Sequence, residues 1–115
     1  MHELALSQSI VRTALSASGA EKADITAIAV DVGALSAVVP SSLEFCLQLV
    51  LEQSGMQSTQ VRITRVEARA MCECGLTFEP TDLFSPCPEC GGFQREIERG
   101  KDVTIRYVEV EDGEG

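Results

Sequence analysis

The sequence predicts an α+β fold. A small three-stranded sheet carries two amphipathic helices, and a small cysteine-bearing domain is inserted before the last strand. Three observations predict it. Apolar residues recur at helical spacing in two segments, 3–18 and 43–50. They alternate at strand spacing in three others, 24–33, 60–70 and 103–110. Four of the five cysteines form two close pairs between the last two of those strands.

In the first segment Leu4, Val11, Ala14 and Leu15 fall on one stripe, Glu3 faces the positive end of the helix dipole and Gly19 is the stop. In DITAIAVDVG, Ile28, Val30 and Val32 share one face, and β-branched residues dominate, as a strand requires. The second helix follows in VPSSLEFCLQLVLEQSG. Ser41-Ser42-Leu43-Glu44 fits a capping box, and Leu43, Cys46, Leu47 and Val50 make the buried stripe ended by Gly55. Cys46 reads as a small buried hydrophobe. QVRITRVEARA predicts a second strand whose apolar phase shifts between Ile63 and Val66, the signature of a bulge. VTIRYVEV predicts the third strand, and the acidic tail EDGEG has nothing to bury. The division that follows is a body of residues 1–70 and 101–115 and an insert of residues 71–100. The predicted core is small and almost wholly aliphatic, since aromatics make up 4% of the 115 residues and Trp is absent.

The formal net charge of −9 argues against nucleic acid and anionic membrane surfaces and suits a cation or a basic partner. No apolar run reaches the roughly 18 residues of a membrane helix. The N-terminus lacks the basic region and cleavage site of a signal peptide. A cytoplasmic chain is therefore expected, with its thiols reduced.

The insert reads MCECGLTFEPTDLFSPCPECGG. Cys72 and Cys74 form one pair, Cys87 and Cys90 the other, and glycine follows each. Two such turns facing each other make a closed tetrahedral site of four thiolates for Zn(2+), a zinc ribbon, rather than a pair of disulfides. The first pair is C-x-C where ribbons normally show C-x-x-C. Four thiolates leave no open coordination position, so the zinc is structural. Phe78, Phe84 and Phe93 are the expected apolar cover. No phosphate loop, dinucleotide fingerprint or nucleophile elbow occurs, and with one histidine no Ser-His or Cys-His pairing arises, so no enzyme is expected.

That histidine is His2. An acidic first turn on an amphipathic helix accounts for MHE by itself. A second reading makes it a metal site. The α-amine of Met1, the His2 amide and the His2 imidazole close adjacent chelate rings, and the Glu3 amide or carboxylate supplies a fourth donor. The amine titrates near ~7.7–8.0 and the imidazole near ~6.5, so both offer neutral nitrogen near physiological pH. Nitrogen donors in a plane suit Ni(II) or Cu(II).

With these residues in view the chain resembles the HypA/HybF family of nickel-insertion accessory proteins for [NiFe] hydrogenase. The resemblance rests on MHELAL, VDVGALSAV, SLEFCLQLVLE and the four-cysteine insert. It implies a nickel metallochaperone with Ni(2+) as cargo and His2 as an essential ligand, and a zinc domain carried by Cys72, Cys74, Cys87 and Cys90. It implies a HypB-type GTPase and the [NiFe] hydrogenase large-subunit precursor as partners, with urease as a further destination in some members. An acidic ligand near the start of the second helix, used in some members, is not carried over. Val39-Pro40 stands there, and Glu44 is the nearest carboxylate. A monomer and a homodimer are both compatible with the sequence. The alternative function is a zinc-ribbon adaptor without a nickel role, which explains the cysteines and leaves MHE as coincidence. A metal-dependent hydrolase is a third reading, disfavoured by the closed thiolate set.

Overall fold

The computed structural model describes residues 3–111. Helix α1 spans Glu3–Ser18, strand β1 Ile25–Gly33, helix α2 Pro40–Gln53 and strand β2 Gln60–Val66. Strands β3 (Arg69–Cys72), β4 (Thr77–Phe78), β5 (Arg95–Arg99) and β6 (Val103–Val110) follow. They make two three-stranded sheets, β2-β1-β6 and β4-β3-β5. The fold is α+β as expected. The radius of gyration is 17.2 Å, against roughly 13 Å for a compact domain of this length. The excess reflects an elongated molecule of 56 × 28 × 17 Å.

The first sheet has β1 at its centre, parallel to β2 and antiparallel to β6. Its helix-covered face supplies Ile28, Val30 and Val32, which pack against Ile10, Val11 and Ala14 of α1 and Leu43, Leu47, Val50 and Leu51 of α2. The other face carries no helix. There the small residues Ala27 and Ala29 are roofed by long side chains. Arg62 reaches the Tyr107 hydroxyl at 2.9 Å and Glu109 at 2.6 Å, and Arg106 reaches Asp31 at 3.0 Å.

Short links join the end of α1 to the start of β1, the end of β1 to the start of α2 and the end of α2 to the start of β2, and β1 and β2 are parallel. Both helices therefore start at the end of the sheet where β1 and β2 finish, which is also where the second sheet begins. The first residue of α1 is Glu3.

Four details differ from expectation. The α1 stripe runs through Ser7, Ile10, Val11 and Ala14, while Leu4 is 43% exposed. The capping box does not form. Val39 is the N-cap, no side chain caps it, and Pro40 takes the first helical position, where its missing N–H costs nothing. Cys46 is half-buried rather than fully buried. The predicted strand 60–70 is two strands: β2 ends at Val66 and β3 opens at Arg69 in the other sheet. The break falls at Glu67–Ala68, not as a bulge between Ile63 and Val66, where the register with β1 is continuous.

The chain crosses between the sheets twice, at 67–68 and at 100–102, and the crossings touch. A Cβ on Gly33 would stand 2.4 Å from the Gly100 carbonyl, and one on Gly100 would stand 2.5 Å from the Ala68 Cα. Gly100 also sits at φ +85°, a conformation that favours glycine. Hydrogen bonds from Gly33 N–H to Asp102, Ala34 N–H to Val66 and Leu35 N–H to Gly100 lace the crossing at 2.8–3.0 Å.

Candidate metal centre

The second sheet is a frame for two turns. Cys72 ends β3, and Cys74 lies in the turn that leads into β4. Cys87 and Cys90 lie in the loop before β5. The turns are built alike. In the first, the Cys72 N–H bonds to Leu76 O, and the Gly75 N–H returns to Cys72 O, both at 2.8 Å. In the second, the Cys87 N–H bonds to Gly92 O at 2.9 Å, and the Gly91 N–H returns to Cys87 O at 2.8 Å. Each glycine follows the outer cysteine directly at positive φ, +96° for Gly75 and +71° for Gly91. The first loop is one residue shorter, and that residue is the one missing from C-x-C. The shorter spacing therefore tightens the turn and keeps both sulfurs on the same side. The Gly92 N–H also reaches the Cys90 sulfur at 3.4 Å.

The four sulfurs lie within 4.8 Å of one another. Cys72 and Cys90 are 3.5 Å apart, and Cys74 and Cys87 are 3.7 Å apart. A disulfide needs about 2.05 Å. Tetrahedral Zn–S bonds of about 2.3 Å place sulfurs about 3.8 Å apart. The donor set fits a tetrahedral thiolate metal. One sulfur of each pair is buried, Cys72 and Cys87, and one is exposed, Cys74 and Cys90. A metal there is shielded from one side only.

The thiols are not equivalent. At Cys72 the Cys74 backbone N–H draws the thiol down, but burial and the neighbouring sulfurs outweigh it and push it up to about 12. At Cys87 the Cys90 N–H is the largest influence and burial opposes it. The Glu89 N–H and the sulfurs of Cys72 and Cys74 add to the lowering and bring Cys87 to about 7. Around neutral pH the metal-free cluster still holds protons that an incoming metal expels.

The insert is otherwise open. Phe84 is 80% exposed and Phe93 64%, so neither covers the sulfurs, and Phe78 is half-buried in β4. The packing role assigned to Phe84 and Phe93 from sequence does not hold, because the loops that carry them offer no second layer to receive them. What sequence reasoning missed is the sheet itself. The alternation of Arg95, Ile97 and Arg99 with Glu96 and Glu98 in REIER is its signal.

Of the nitrogen-donor trio, Met1 and His2 lie outside the described residues. Glu3 opens α1, half-buried, and its carbonyl accepts the Ser7 hydroxyl at 2.8 Å. Glu44 is exposed on α2. No helix among the described residues is long and apolar enough to cross a membrane.

The comparisons with known proteins agree with one another. A hydrogenase maturation factor from Geotalea uraniireducens is 32% identical over 112 residues, covering 96% of this chain and all of that one. One from Geobacter metallireducens is 31% identical with the same coverage. The solution structure of a nickel metallochaperone from Helicobacter pylori superposes with a TM-score of 0.69, at 21% identity, over 96% of this chain and 98% of that one, a likeness of fold. The family model for hydrogenase/urease nickel incorporation matches residues 1–110, so the chain belongs to the HypA family of metallochaperones.

Proposed function

We propose that the chain binds Ni(II) at its N-terminus through Met1, His2 and Glu3 and helps insert it into the [NiFe] hydrogenase large subunit during maturation. Cys72, Cys74, Cys87 and Cys90 hold a structural Zn(2+) that keeps the insert folded. The observation that carries the reading is that the family match starts at residue 1, so MHE lies within it. The division into a body of 1–70 and 101–115 and an insert of 71–100 belongs to the same proposal; two separate sheets support a division into two parts, with the second sheet opening at Arg69, two residues before that boundary. The partners are a HypB-type GTPase and the large-subunit precursor, and the site of action is the cytoplasm.

The chemistry follows from the donors. The chain start is a site of nitrogen and oxygen donors at the end of a helix, whereas the cysteine cluster is closed on itself. Nickel at the terminus can be approached by an acceptor, and acceptor thiolates bind it more strongly than amine, amide and imidazole do. The ion then moves by ligand exchange, with no covalent bond made or broken in the carrier, which is not an enzyme. Protonation sets the direction with pH. As pH falls through the imidazole pKa, near ~6.5 in the free residue, His2 takes up a proton and nickel is released.

Nickel titration of protein with its native first residue, beside His2→Ala, tests the proposal. Tight binding is expected for the native chain and loss of at least tenfold for the variant. Equal binding would remove His2 from the site. An N-terminal extension is expected to weaken binding as well, because it removes the free amine.

A further inference from the structure

The chain between the two cysteine pairs, EPTDLFSP at residues 79–86, forms no helix or strand, yet it is closely bonded. The Ser85 hydroxyl accepts the backbone N–H groups of Thr81 and Asp82, both at 3.1 Å, and the Asp82 carboxylate accepts the Phe84 N–H at 2.7 Å. From β5 the Arg95 guanidinium reaches the Leu83 carbonyl and holds the Phe93 carbonyl at 3.2 Å. Ordering a loop costs conformational entropy, which a folded chain normally recovers by hiding apolar side chains. This loop is ordered with its two largest apolar side chains, Leu83 and Phe84, outside. An aromatic ring held in place in water is a ready interface anchor, because little freedom remains to be lost on binding.

Charge and position say what it meets. Between Arg69 and Arg95 the chain has no Lys or Arg, while Glu73, Glu79, Asp82 and Glu89 are all exposed there. Four thiolates on a divalent metal add to the same sign. The complement is an apolar socket rimmed by Lys or Arg. A second loop of the same kind is a poor occupant, since Glu79 and Asp82 would meet their own charge. Leu83 and Phe84 also form one wall of a groove of about 300 Å³ whose other wall is Ala34, Leu35 and Ala37 of the body. That stretch leads into the exposed N-cap Val39 of α2. A protein seated on the loop therefore lies at the end of the body where both helices, and with α1 the chain itself, begin.

We propose that the Leu83-Phe84 loop is the docking element for the large-subunit precursor, which receives the two side chains in an apolar socket with a basic rim; this rests on the reading of the chain as a nickel carrier. The precursor is the occupant because a subunit still awaiting its metal keeps apolar surface open that the finished subunit closes. Docking there brings the acceptor beside the chain start, and the loop distinguishes the unfinished subunit from the finished one.

Biolayer interferometry of the zinc-loaded, nickel-free chain against the purified precursor tests this. Reading docking without nickel keeps its outcome separate from that of the nickel titration of His2→Ala. Phe84→Ser is expected to weaken docking about tenfold or more, with amide protection in β3, β4 and β5 retained. Glu79→Lys is expected to weaken it less and to flatten its dependence on salt, because a rim contact acts through charge. The finished, nickel-bearing subunit is expected to bind weakly, and affinity for the GTPase to stay as it was. Precursor binding that is absent, or that Phe84→Ser leaves intact, would overturn the proposal. Loss of GTPase binding with precursor binding retained would overturn it and assign the loop to the GTPase. A changed mass of the free Phe84→Ser chain would overturn it in favour of a second copy.

Discussion

The two sheets carry three strands each, yet they are held together by different means. In the body, thirteen residues form a continuous aliphatic cluster between β1 and the two helices, and Ile28, Val30, Leu43 and Leu47 are wholly buried. In the second sheet and its loops the fully buried side chains are small, chiefly Ala70, Cys72 and Cys87, while Leu83, Phe84 and Phe93 are exposed. One half is stable because apolar area leaves water. The other has too little of it, and four converging sulfurs take its place. Metal binding can therefore order the insert without rebuilding the half that starts the chain.

The difference is broken most directly by removing zinc. In finger peptides such a metal contributes roughly 10–16 kcal/mol to folding. Chelation, or Cys87→Ser, is expected to unfold β3, β4 and β5 while the body stays folded, read as loss of amide protection confined to 69–99. The pH dependence has a definite sign. The metal-free Cys87 thiol sits at about 7. As pH falls through that value Cys87 takes up a proton as well, so protons compete with the metal at Cys87 in addition to Cys72, whose thiol is pushed up to about 12. Zinc affinity measured against a competing chelator is expected to fall steeply below neutrality.

The converse change attacks the other half. Leu47→Ala leaves a hole in a fully buried position and is expected to cost about 2–5 kcal/mol by denaturant titration. The thiols of the zinc-loaded insert should remain as slow to react as before. A smaller effect is expected where the halves meet. Gly100→Ala forces a side chain into the +85° conformation and against Ala68, about 1–3 kcal/mol for the backbone alone, read as a lower melting temperature of the body. The smallest effect belongs to the helix-free face. Arg62→Ala removes the bonds to Tyr107 and Glu109, which also raise the Arg62 pKa. Exposed pairs of this kind contribute little, so the melting temperature should barely move.

Legibility in the sequence follows the same divide. Periodicity located α1, β1, α2 and β6, because each buries one face against a shared core and burial is what hydropathy patterns record. Cysteine spacing located the metal site, because thiolates on one ion require proximity in the chain. The rest depends on contacts that leave no periodic trace. The break at Glu67–Ala68 sits inside a run that alternates well enough to pass for one strand. The close approach of Gly33, Gly100 and Ala68 involves backbone atoms, and composition shows only glycines. Ser41-Ser42-Leu43-Glu44 resembles a capping box, yet the proline begins the helix two residues earlier and leaves the hydroxyls without that task. The exposed Phe84 and Phe93 show that an aromatic in a small insert need not find a core.

Nickel K-edge X-ray absorption on protein loaded with one zinc and one nickel addresses the central claim, that cargo and structural metal use different donors at different ends of the chain. The account predicts nitrogen and oxygen neighbours around nickel, with the outer-shell scattering of an imidazole that disappears in His2→Ala. Sulfur in the nickel shell, with the chain start unbound, would contradict it.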